Sequence, residues 1–119
     1  MPNISDLTDE IMRQLRMYEH DVSEKVDEAK KEVSEEAVSK LRQLSPKGAT
    51  GNYRKGWRVK KVGNKFVVHN ATNYQLTHLL EKGHAKVGGG RVAPRVHIRP
   101  VEEKAIDDFL ERVERAIRG

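Results

Sequence analysis

The sequence predicts an α+β fold: a long amphipathic helix at the N-terminus, a small antiparallel sheet in the middle and a closing helix. Three observations carry that prediction. Apolar residues recur every three or four positions from residue 4 to residue 44, the pattern changes to alternation on either side of Gly63-Asn64, and helical spacing returns after Pro100. With 119 residues, 36% of them hydrophobic and 5% aromatic, the chain reads as one domain over residues 1–119 with a small core in its middle.

The first element covers residues 1–44. Its apolar positions are Ile4, Leu7, Ile11, Leu15, Tyr18, Val22, Val26, Ala29, Val33, Ala37, Leu41 and Leu44. A mean spacing of about 3.64 keeps one face in line along a straight α-helix and is too long for a left-handed heptad coil. Asn3 or Ser5 supplies a cap, and Pro46 ends the helix by excluding Ser45 from the α region. About 40 residues make a rod of about 60 Å, against about 35 Å for the width of a compact chain of this size. The helix must bend back or project. A projecting helix with a narrow apolar stripe needs something to lie against, and another copy of the chain is the expected partner.

Residues 45–100 are expected to form a basic, β-rich core. Residues 47–52 read as a Gly-rich loop. Residues 53–62 and 65–70 read as a hairpin, with Val59 opposite Val68, Lys61 opposite Phe66 and Trp57 opposite Asn70. That register puts Trp57, Val59, Phe66 and Val68 on one face and Arg58, Lys60, Lys65 and His69 on the other. A short helix follows over about residues 73–82, with Leu76, Leu79 and Leu80 inward and Gly83 as its C-cap. Residues 87–91 read as a mobile glycine loop. Residues 95–99 alternate as a further strand, Val96 and Ile98 inward, Arg95, His97 and Arg99 outward. Pro100 suits the first turn of a closing helix over 101–119, whose face is Val101, Ala105, Phe109, Leu110, Val113 and Ile117.

Charge follows the same division. Residues 1–44 hold seven bases and eleven acids, residues 45–100 twelve bases and the single acid Glu81, and residues 101–119 four bases and six acids. A field this one-sided selects anionic surfaces or complementary protein faces, without choosing between them. Tyr53, Trp57 and Phe66 interleave with bases as on a nucleic-acid surface, but the hairpin register turns Trp57 and Phe66 inward and leaves a phosphate-type electrostatic face. Docking on an acidic ring of another protein uses the same charges.

The chemistry that is absent is as informative. There is no cysteine, hence no disulfide, thiolate metal site or thiol nucleophile. No apolar run approaches the roughly 20 residues that span a bilayer, and the polar start is unlike a signal peptide. The chain reads as soluble, made in a cytoplasm and without a membrane partner. His69, His78, His84 and His97 show neither an i, i+4 pair nor a flanking carboxylate set, so no metal site is assigned. Gly88-Gly89-Gly90-Arg91 lacks the Lys-Ser/Thr of a P-loop. Glu81 is expected to be ionised and paired with an arginine, a structural role. Ser45 and Thr50 lack a His/Asp partner pattern. No catalytic residue and no cofactor are assigned. By charge and outward phase, the interaction candidates are Arg58, Lys60, Arg91, Arg95, His97 and Arg99.

The order of the motifs adds a resemblance. A long helix precedes Ser45-Pro46 and Thr50-Gly51-Asn52-Tyr53-Arg54-Lys55-Gly56-Trp57. Then come a hairpin, Asn70-Ala71-Thr72-Asn73-Tyr74, Leu80-Glu81-Lys82-Gly83, Ala93-Pro94 and Ile98-Arg99-Pro100. This series, over residues 45–117, resembles the tail-completion (head–tail joining, or neck) proteins of tailed bacteriophages. His84 stands where that family often has Thr, and Arg95-Val96 where it tends to have an aromatic. The resemblance implies a non-catalytic virion component made in the bacterial host cytoplasm. It would assemble as a ring, commonly sixfold, between the phage connector and the tail tube or terminator proteins. Non-specific contact with packaged DNA is a further implication, and a basic nucleic-acid-binding module is the alternative reading.

Overall fold

The computed structural model describes residues 4–48 and 50–119. Helix α1 (Ile4–Leu44) runs unbroken for 41 residues. Asn3 lies outside the described residues, and Ser5 sits inside the helix instead of capping it. The molecule measures 86 × 21 × 20 Å, and its radius of gyration is 21.7 Å, against about 13.5 Å for a compact chain of this length. Of the two alternatives for α1, the helix projects.

Helix α4 (Ile98–Arg118) covers the C-terminal part of α1 in antiparallel fashion. Val101 joins Val38 and Leu41 in the core, Arg112 bridges Glu32 and Glu36, and the Tyr18 hydroxyl donates to the Ile117 carbonyl at 2.7 Å. The inward row of α4 is Val101, Ala105, Phe109, Arg112 and Ala116, at helical spacing. Leu110 and Ile117, expected on this face, are exposed. With Ile106 they belong to a second apolar row about a third of a turn further round the helix.

Strands β1 (Trp57–Val62) and β2 (Lys65–Asn70) pair antiparallel in the expected register, Trp57 with Asn70, Val59 with Val68 and Lys61 with Phe66. Residues 53–55 are not strand. They belong to a one-turn helix, α2 (Asn52–Lys55), entered through Gly51 at φ 73°. Asn70 causes the change: its side-chain amide donates to the Tyr53 carbonyl at 2.8 Å, and the Ala71 N–H bonds the Gly56 carbonyl. Gly56 is required there, because a Cβ would sit 2.1 Å from Thr72 Oγ1.

Helix α3 (Leu76–Lys82) starts three residues later than expected, after a turn in which Leu76 bonds back to Asn73. Only Leu80 of its three leucines meets the core; Leu76 and Leu79 are exposed, since seven residues touch the body along one edge. Gly83 is the C-cap, at φ 73°. Strands β3 (His84–Ala85) and β4 (Arg91–Val92) form a second, separate antiparallel pair, and the glycine run is its turn.

The strand expected over residues 95–99 does not form. Residues 93–97 are irregular and α4 begins at Ile98. The phase is inverted: His97 is 2% exposed and Val96 is 55% exposed. The cause is Glu81, whose carboxylate accepts the backbone N–H groups of His97, Ile98 and Arg99 at 2.8, 3.0 and 2.9 Å. Those groups start a helix and are unavailable to a ladder.

Candidate interaction surfaces

The motif residues converge on a buried knot at one end of the rod. Trp57 donates its indole N–H to the Ser45 hydroxyl at 2.8 Å, and Arg54 donates to the Ser45 carbonyl at 2.9 Å. Tyr53 and Trp57 meet edge to face, with centroids 5.7 Å apart, and Tyr53 meets the His97 ring at 5.5 Å. The Asn70 side-chain oxygen accepts the N–H groups of Thr72 and Asn73. One asparagine thereby ties α2, β2 and the approach to α3.

A Tyr–His–Glu chain runs through the knot. The Tyr53 hydroxyl lies 2.7 Å from His97 Nε2. His97 Nδ1 faces two acceptors, the Arg95 carbonyl at 2.7 Å and Glu81 at 3.2 Å. The ring therefore carries its hydrogen on Nδ1, and Nε2 accepts from Tyr53 when the ring is neutral. Burial, and then the Glu81 charge, pushes the Tyr53 hydroxyl up to about 12. Burial also pushes the Glu81 carboxyl up, but the three backbone N–H groups and His97 outweigh it and hold it below the usual carboxylate range. The expected arginine partner of Glu81 is replaced by the N-terminus of α4, a charge-assisted cap. Both nitrogens of His97 are engaged and the ring is sealed from solvent, so the chain locks the fold and offers no open position to a substrate.

The six residues expected at an interface separate. Arg58 and Lys60 share the exposed outer face of β1; the Arg58 guanidinium is turned back onto the Lys55 and Trp57 carbonyls. Arg91 is exposed in β4 and donates to the Lys82 carbonyl at 3.1 Å. Arg95, His97 and Arg99 gather around Glu81, but only the two arginine side chains point outward, Arg99 toward Glu103 at 3.1 Å. His97 belongs to the core and leaves the interaction set. Among the described residues no group of three or more His, Cys, Asp or Glu could hold a metal ion, and no helix is long and apolar enough to cross a membrane.

Two surfaces that charge alone does not reveal are apolar. Every residue from 5 to 21 of α1 is exposed, so this arm presents Leu7, Ile11 and Leu15 as an uncovered stripe with Met12 and Met17 beside it, and Tyr18 marks where the end of α4 reaches it. At the other end, an open groove of about 420 Å³ lies over α1 between the hairpin and α4, lined by Val33, Ala37, Trp57, Val68, Ile106 and Phe109 among others. The apolar period of residues 4–44 marked the arm stripe; the groove needed the tertiary arrangement.

Residues 9–83 match the family described as "Bacteriophage HK97-gp10, putative tail-component", a span from the exposed arm through α3 to Gly83. The chain matches no curated protein and no solved structure.

Proposed function

This chain belongs to the HK97-gp10-like family of bacteriophage tail components, and from that premise we propose that it joins head to tail. It would be a neck, or tail-completion, protein assembled as a ring, commonly sixfold, where the DNA-filled head meets the tail. A tail component is a virion protein with a structural role; synthesis in the host cytoplasm and the absence of catalysis belong to the proposal. Its partners would be the phage connector on one side and tail tube or terminator proteins on the other.

The observation that supports this reading most is the division of one small chain into a folded basic head and an exposed, apolar-striped arm. A protein acting alone gains nothing from such an arm, whereas a joint must offer separate surfaces to its neighbours. Electron microscopy of lysates from the parent phage with this gene deleted tests the proposal. DNA-filled heads and finished tails lying apart are expected; normally joined virions would refute it.

A second reading, a nucleic-acid-binding module, is favoured by Arg58, Lys60 and Lys65 on the exposed outer face of the hairpin. In the ring such a face would meet packaged DNA non-specifically, with affinity falling steeply as salt rises. Duplex titration decides between the two: tight binding at physiological salt favours the module.

A further inference from the structure

We propose that copies of this chain associate head to tail, the arm of one copy lying in the groove between the hairpin and α4 of the next. The inference rests on the reading of the protein as an assembly component and names the surfaces that would build the assembly.

The arm stripe and the groove are both apolar and both uncovered, and they lie toward opposite ends of a molecule 86 Å long. One unbroken helix separates them, so they cannot meet within a single chain. Their lengths are compatible: Leu7 to Leu15 on the arm, about 12 Å of helix, fits within Ile98 to Phe109 along the groove, about 17 Å. Charge agrees along the hairpin wall alone: residues 5–28 carry eight acids and three bases and residues 45–70 seven bases and no acid. Arg58, Lys60 and Lys65 lie on the outer side of that wall, while the charged residue lining the groove itself is Glu102 of α4. On the other side of α4 a second groove, of about 530 Å³, mixes Leu44, Pro100 and Val101 with Glu36, Lys40, Lys104 and Asp108.

The exposed area fits a multiple contact. The chain exposes 9135 Å², where a compact monomer of its length exposes about 6,600 Å². The excess, about 2,500 Å², is larger than the roughly 1,600 Å² one copy gives to two contacts of standard size. Because arm and groove are different surfaces, the contact is heterologous, and repetition closes it into a ring or extends it as a helix.

The absence of cysteine permits a direct test on full-length protein. Leu15→Cys and Ile106→Cys preparations, both at exposed positions, are mixed at about 1 mM and treated with a short bis-maleimide. The expected product is the mixed dimer, in about tenfold excess over either homodimer. Adding Ile11→Glu to the arm partner should lower that yield about tenfold while the thermal unfolding midpoint stays unchanged. A dominant Leu15–Leu15 product would mean two-fold arm pairing and overturn the proposal. A mixed yield no higher than that of a control pair on unrelated surfaces would overturn it too. If cross-linking fails while gene deletion still leaves heads and tails apart, the joining role stands and this interface falls.

Discussion

Two stretches of the same helix carry the same apolar period and have different surroundings. From Val22 to Leu41 the stripe of α1 is half-buried or buried beneath α4 and the hairpin; from Leu7 to Leu15 it faces solvent. Amphipathic spacing states that a face needs cover; it does not state who supplies it. In the covered half the chain supplies its own cover and fixes it with the Ser45–Trp57, Tyr53–His97 and Glu81–α4 contacts. In the arm the described chain supplies none, and under the proposed assembly another copy does. Stability should therefore be concentrated in one half and association in the other.

Substitutions at decreasing depth sharpen that contrast. Trp57→Ala removes the largest core side chain and leaves the buried Ser45 hydroxyl without its donor, and should cost about 3–5 kcal/mol in urea unfolding. Gly83→Ala puts a Cβ 2.4 Å from the Val92 carbonyl at φ +73°, for an expected loss of about 2–3 kcal/mol. Glu81→Gln should cost about 1–2 kcal/mol at neutral pH, with a distinctive pH dependence. The folded carboxyl lies below its usual value, so its contribution is full above the unfolded value of about 4.3. It is lost as pH falls through the folded value, and the gap between native protein and Glu81→Gln should close in acid. A gap independent of pH would remove the charge from the account.

Tyr53→Phe deletes one buried hydrogen bond, worth about 1 kcal/mol, and should abolish the tyrosine that titrates at about 12 in ultraviolet difference spectra. Smallest of all, Ile11→Glu in the exposed arm should change stability by no more than about 0.5 kcal/mol. A loss of several kcal/mol there would show that the arm is covered within the chain, and would dissolve the contrast.

Much of the covered half was legible in the sequence. The period of α1, the hairpin register about Gly63-Asn64 and the C-cap at Gly83 each follow from local rules of spacing and turn chemistry. Three misreadings share one cause. Alternation over residues 95–99 looked like a strand because the carboxylate that captures those N–H groups lies sixteen to eighteen residues away, at Glu81. The same long-range contact turned His97 from outward candidate to core residue. Tyr53 was drawn from strand to helix by Asn70, seventeen residues on. Side-chain capture of distant backbone leaves no periodic trace. As for interaction, charge singled out Arg58, Lys60, Arg91, Arg95 and Arg99, but the groove over α1 is assembled from four elements and has no signature in any of them.

The measurement closest to the central claim is electron microscopy of deletion lysates supplied with full-length protein, either native or carrying Ile11→Glu and Leu15→Glu together. Native protein is expected to restore joined virions, while the arm variant, folded and as stable as the native chain, leaves filled heads and tails apart. Joining restored equally by both would contradict the claim.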